Sequence, residues 1–244
     1  MLFSFPQRKL NFDIDLQITG VRLERTTEFD FLGLIINEKL SWNAHLNKIS
    51  NKIARIIGII KRLHYFLPKC TLLLIYNSLF LPHANYSILA WGFACDRILK
   101  LQKSAIRLIS SAQYNAHTDP LFKTLKILKV TDLFKLKSLK FFFRYSKNEL
   151  PGYFDNMFTS IPSTHNYPTR CRDVPRYAIP RHASTEKCIR HSITKLIQNS
   201  PMTVTSKIHT HSYSGFSQYV KNFYISQYSE TCSIPNCFVC GNHQ

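Results

Sequence analysis

The first clear pattern along the chain is alternation. In Glu28-Phe29-Asp30-Phe31 the aromatic residues share one face and the carboxylates the other, the two-residue period of a half-buried strand. Gly33 then interrupts an apolar run, which in a strand marks a turn, a bulge or the close approach of another backbone. Upstream, Leu16-Gln17-Ile18, Thr19-Gly20 and Val21-Arg22-Leu23 read as strand, turn and strand, so residues 1–38 are predicted to be small β structure. After the polar break Asn37-Glu38-Lys39 the period lengthens. Leu46, Ile49, Ile53, Ile56, Ile57, Ile60 and Leu63 recur at the spacing of one buried helical face, with Ser41 as the expected N-cap. His45, Lys48, Lys52, Arg55 and Arg62 fall on a separate, basic stripe of the same helix.

Farther on, Thr71 to Ala94 runs without a charged residue and has to be weighed as a membrane span. Asn77, Ser78, Pro82, His83 and Asn85 near its middle are costly in hydrocarbon, so a buried helix pair broken near Pro82 is the better reading. Asp96 is the expected cap of the next helix. There Ile98, Leu101, Ala105 and Leu108 are assigned inward, and Arg97, Lys100, Lys103 and Arg107 form a second basic stripe. Thr118-Asp119-Pro120 starts another helix. A further one begins at Thr131, carries Lys135, Lys137 and Lys140, and ends in the aromatic run Phe141 to Tyr145. Such a run can stack bases, but at helical spacing it more often packs a core, as Tyr86 and Trp91 are also expected to do. Residues 159–185 hold four prolines and read as an irregular linker. Cys188 to Gln198 and Gly215 to Tyr228 are two more short helical candidates.

Composition adds one strong signal. The 244 residues suffice for one large domain or two small ones, and the apolar fraction of 45% supports a core. The formal charge of +18 predicts attraction to polyanions: RNA, DNA or an anionic membrane surface. The charge is unevenly placed, since Lys39 to Cys95 contains neither Asp nor Glu. Seven cysteines, with no secretory leader at Met1, read as reduced thiols in a nuclear or cytoplasmic protein.

Several stretches together resemble a known family. FLGLIINEKLSWNAHL, IYNSLFLPHANYSILAWG, LQKSAIRLI, YNAHTDPLFKTLKIL, LPGYFDNMF, HNYPTR at His165 to Arg170 and CIRHSITKLIQNSP occur in order and resemble the C-terminal part of non-LTR (LINE-type, jockey-like) retrotransposon reverse transcriptases. The resemblance implies a mainly α fold: a small N-terminal β-hairpin region, a helical thumb-like bundle, and a loop-rich C-terminal region with short helices. It divides the chain into a palm-edge remnant (1–38), a thumb (39–112), a helical connector (113–158), a linker (159–185) and C-terminal helices with a Cys/His-rich end (186–244). It puts Phe31, Leu32 and Gly33 at a primer grip, and Lys48, Lys52, Arg55 and Arg62 on the first thumb helix. Lys100, Lys103 and Arg107 extend that nucleic-acid-binding set. The implied partner is RNA or an RNA–DNA template–primer hybrid, together with the fingers and palm that carry the catalytic centre in the family; no membrane is implied.

The catalytic chemistry of that family is missing. Polymerisation needs paired aspartates holding two Mg²⁺ ions, and no Asp-Asp pair occurs in this sequence. Phe12-Asp13-Ile14-Asp15 is the only imitation, and its aspartates alternate with apolar residues as on an exposed strand face. The chain is therefore expected not to polymerise alone. Nothing resembles the family's endonuclease or a phosphate-cradling glycine loop. Near the end, Cys232, Cys237, Cys240 and His243 place four soft ligands in twelve residues, a candidate Zn²⁺ site whose spacing is not that of a standard knuckle; His209 and His211 are alternative ligands. The competing function class is a non-catalytic helical interaction module, or a mobile-element remnant without function.

Overall fold

A computed structural model describes residue 3 and residues 16–158 and 188–230. The expected linker at 159–185, the Phe12 to Asp15 stretch, the HNYPTR segment and the cluster Cys232, Cys237, Cys240 and His243 lie outside those residues.

The fold is mainly helical, with two small antiparallel hairpins at its N-terminal side. Strands β1 (Gln17–Ile18) and β2 (Val21–Arg22) form the first, and β3 (Glu28–Phe31) and β4 (Leu34–Asn37) the second, with Phe31 opposite Leu34. Both turns hold two residues at positive φ, Thr19-Gly20 and Leu32-Gly33. That is the turn whose twist matches paired strands. The expected half-burial of Phe29 and Phe31 does not occur. Both are 53% exposed, because β3 is the outer strand and only β4, through Leu34, reaches the core.

Helix α1 (Asn43–Leu63) follows. Its buried face, Leu46, Ile49, Ile53, Ile56 and Ile60, is the one the periodicity predicts. Ser41 is not its cap: it is bound instead to the Asn37 side chain, and Trp42 stands at the N-cap position with φ 58°.

The next segment runs through Pro82 instead of breaking there. Helix α2 (Lys69–Ile75) passes into a π-helical turn, Tyr76–Phe80, and then α3 (Leu81–Asn85). The Leu81 N–H donates to the Tyr76 carbonyl, five residues back, so the register shifts one residue ahead of the proline that cannot donate. The real break is at Tyr86 and Ser87, where the backbone turns extended and then left-handed before α4 (Ile88–Trp91).

Helix α5 (Asp96–Ile109) buries Ile98, Gln102, Ala105, Ile106 and Ile109, a face rotated from the one expected. Leu101 and Leu108 are only half-buried. Gln102 is the cause: its amide donates to the Tyr76 hydroxyl and the Leu128 carbonyl and accepts from the Val130 N–H, each at 2.8 Å. A fully paired polar side chain occupies the centre that apolar periodicity assigns to leucine.

Helix α6 (Asp119–Leu125) begins where Thr118-Asp119-Pro120 predicts. Helix α7 (Val130–Ser146) then serves two cores. Val130 and Leu133 close the first, with α1 to α5, while Leu136, Leu139, Phe142 and Phe143 build the second. Across that second core lie α8 (Ile189–Asn199), the single turns α9 (Met202–Thr205) and α10 (Lys207–Thr210), and α11 (Tyr213–Ser226). The aromatic run packs as expected: Phe143 stacks on Phe216 at 5.0 Å and Phe142 meets Phe158 edge-on at 5.4 Å. Among the described residues no helix is long and apolar enough to cross a membrane.

Candidate nucleic-acid interface

The second hairpin and α1 meet at a cluster of polar groups. The Ile35 N–H donates to Nδ1 of His45 at 3.3 Å, which requires a neutral ring. His45 is 2% exposed, so it leaves the basic stripe to which its spacing assigned it. Burial, reinforced by the nearby ammonium of Lys48, holds its pKa below the ordinary value; Asp30 pulls weakly the other way. Asp30 accepts from Lys48 Nζ at 2.5 Å, and that bond lowers the Asp30 carboxyl below the usual range.

The tip of the hairpin is held from the far side of the break after α3. Tyr86, expected in the core, is half-exposed and donates its hydroxyl to the Leu32 carbonyl. Its indole neighbour Trp91 is fully buried and donates Nε1–H to the Tyr86 carbonyl at 3.0 Å. Leu32 is a bulky residue at φ 50° with its side chain 75% exposed, a conformation that costs free energy unless its surroundings hold it. Gly33 supplies φ 82°. A Cβ there would lie 3.8 Å from the Tyr86 ring, an ordinary van der Waals contact, and Gly33 itself is exposed. Phe31 and Leu32 remain at the surface.

Of the basic stripe on α1, Lys52, Arg55 and Arg62 stay exposed and Lys48 is half-buried beside its ion-pair partner; Lys61, off that stripe, is exposed as well. Lys48, Lys52, Arg55, Ile59 and Arg62 advance by four, three, four and three residues, which keeps them on one line of the helix. From Lys48 to Arg62 that line is about 21 Å long at 1.5 Å per residue. Lys52 also sits near His83, whose pKa is lowered first by burial and then by that ammonium.

The second stripe is on the opposite flank. Arg97 of α5 donates to Asn47 Oδ1, and an open cleft of about 620 Å³ lies between the N-terminal ends of α1 and α5, lined in part by Asn43, Asn47, Arg97 and Lys100. Lys100 is exposed and Lys103 half-buried. Arg107 instead braces the fold: its Nε–H donates to the Ala116 carbonyl at 2.8 Å and pins the loop after α5, and burial lowers its pKa. Between the two flanks, Asn47, Asn51, Ala54 and Gly58 form a row of small and polar residues, and a Cβ built on Gly58 meets nothing within 4 Å.

Sequence reasoning missed Tyr86 and Gln102 as organising residues, since each acts through partners far away in sequence. Among the described residues no three His, Cys, Asp or Glu side chains converge; the Cys232 to His243 cluster, for which His209 and His211 are alternative ligands, lies outside those residues. Compared with protein-family models, curated proteins and solved structures, the chain matches none.

Proposed function

We propose that this chain binds RNA or an RNA–DNA hybrid through phosphate contacts, as the palm-edge and thumb portion of a non-LTR retrotransposon reverse transcriptase, and does not polymerise alone. The observation that carries this reading is the exposed cation line on α1, set in a stretch, Lys39 to Cys95, with no carboxylate side chain. Evenly spaced cations on a rigid helix bind a phosphodiester backbone without reading its bases. The resemblance supplies the kind of nucleic acid, and the sequence has no paired aspartates to hold the Mg²⁺ ions that polymerisation uses. Such a protein works in the nucleus or the cytoplasm.

Binding should weaken steeply as salt rises, because each neutralised phosphate releases counterions. Replacing Lys48, Lys52 and Arg55 by alanine should reduce the slope of log affinity against log salt by roughly two to three. An unchanged slope would remove these residues from the contact surface.

A second reading is favoured by the hairpins. Leu16, Ile18, Val21, Leu23, Phe29 and Phe31 are 46–66% exposed, which suits a module that packs against a further protein layer. Weak binding with a shallow salt dependence in the unaltered chain would favour it.

A further inference from the structure

The cation line of α1 ends in two exposed rings. One more step of four residues beyond Arg62 reaches Phe66, which is 82% exposed, and Tyr65 beside it is 80% exposed. Single exposed aromatics are ordinary, but Tyr65 and Phe66 are adjacent and lie beside the cation line, as the isolated Tyr114 and Tyr153 do not. The turn is closed by hydrogen bonds. The Phe66 and Leu67 N–H groups both donate to the Leu63 carbonyl, at 3.0 and 2.9 Å. His64 Nδ1–H donates to the Lys61 carbonyl at 2.7 Å, and its ring lies 3.7 Å from that of Tyr65. The rings are thus presented by a closed turn, with Lys61, Arg62 and Lys69 close by in the chain.

We propose that Tyr65 and Phe66 form a stacking platform for unpaired bases, so that the strand whose phosphates follow Lys52, Arg55 and Arg62 ends on these rings as single-stranded nucleic acid. The inference rests on the proposed nucleic-acid reading and deepens it. A cationic track that ends in exposed aromatics is the physical pattern of sequence-tolerant single-strand binding, because every base has a π-face while only the backbone carries charge. Two rings are too small an apolar area for a stable protein interface, and a protein partner would need carboxylates to face these cations.

The test uses the full chain and a Tyr65→Ala/Phe66→Ala variant, with a labelled oligouridylate, a blunt RNA–DNA hybrid and heparin as probes. Both residues are solvent-exposed, so the variant should fold as the unaltered chain does. Affinity for the oligouridylate should fall about tenfold or more, the scale of a lost base–aromatic contact. Affinity for heparin and the blunt hybrid should stay within about a factor of two, with unchanged salt slopes, because no charge is removed. Equal oligouridylate affinity of variant and unaltered chain overturns the platform, and so does an equal loss on heparin, which has no bases. A Phe66→Trp variant gives a direct optical reading: indole emission quenched by the oligouridylate and not by heparin supports stacking, and unquenched emission at saturation refutes it. Vesicles of phosphatidylserine and phosphatidylcholine provide the other arm. Vesicle binding that the double variant loses, with oligouridylate binding intact, would assign the rings to a membrane surface. If the unaltered chain binds neither nucleic-acid probe, the proposed function falls with the platform; if it binds both and the variant matches it, only the platform falls.

Discussion

Tyr228 donates its hydroxyl to Asp132 Oδ2 at 2.8 Å, joining the turn just after the last described helix to the start of α7 across 96 residues of sequence. The phenolic oxygen also accepts the Lys129 N–H at 3.0 Å, and the Lys129 ammonium lies 4.5 Å over the Tyr228 ring. Burial, then the Asp132 charge, push the phenol far above its ordinary pKa, so it stays a donor throughout the usual pH range.

Replacing Tyr228 by Phe keeps the edge-on contact with Phe122 but leaves Asp132 and the Lys129 N–H each short of a partner. Unpaired buried groups of this kind cost about 1–3 kcal/mol. Urea unfolding should show a loss of that size with an unchanged denaturant slope. A loss below about 0.5 kcal/mol would mean that the hydroxyl does not hold the C-terminal helix in place.

Stability should also depend on His45 in mildly acidic solution. Its folded pKa lies below the ordinary 6.5, chiefly through burial, so the unfolded chain binds a proton more readily than the folded one. The stability associated with the neutral ring is complete above pH 6.5 and is lost as pH falls through the unfolded value toward the folded one. Protonation would also place a second N–H against that of Ile35. His83 shifts in the same direction, so a His45→Gln variant should show a shallower, though not flat, fall in thermal midpoint between neutral and acidic buffer. A slope equal to that of the unaltered chain would exclude His45 as the cause.

Two glycines should respond oppositely to alanine. At Gly92 a Cβ would come within 2.4 Å of Phe134 Cδ2 and 2.9 Å of Ile88 Cγ1, so Gly92→Ala should cost about 1–3 kcal/mol by overpacking. At Gly58, inside α1, a Cβ meets nothing, and Gly58→Ala should stabilise by about 0.5–1 kcal/mol through reduced backbone freedom. Paired thermal melts read both, and a stabilised Gly92→Ala protein would contradict the packing of α4 against α7.

How much of the candidate interface is legible in the sequence depends on the range of the interaction. Spacing alone places Lys52, Arg55 and Arg62 on an exposed face of α1, because helical periodicity is local and each cation needs only to avoid the buried face. The same spacing misplaces His45, whose position fits the stripe while its ring faces β4. Lys48 falls on the right face, but its ion pair with Asp30, eighteen residues away, leaves no local trace. Tyr86 reads as core because aromatic residues at helical spacing more often pack a core; that its hydroxyl reaches the Leu32 carbonyl depends on a fold-back of 54 residues.

The sequence by itself determined the two hairpins, the length of α1 and its buried face, the start of α6, the aromatic packing of α7 and the concentration of positive charge. These follow from periods of two and 3.6 residues, from turn-forming pairs and from simple counting, all of which act over a few residues. Tertiary structure alone decided which face of α5 is buried, how the helix passes Pro82, and which polar side chains become anchors. Those outcomes turn on hydrogen bonds that only a folded neighbour can satisfy, as Gln102 finds in Tyr76, Leu128 and Val130.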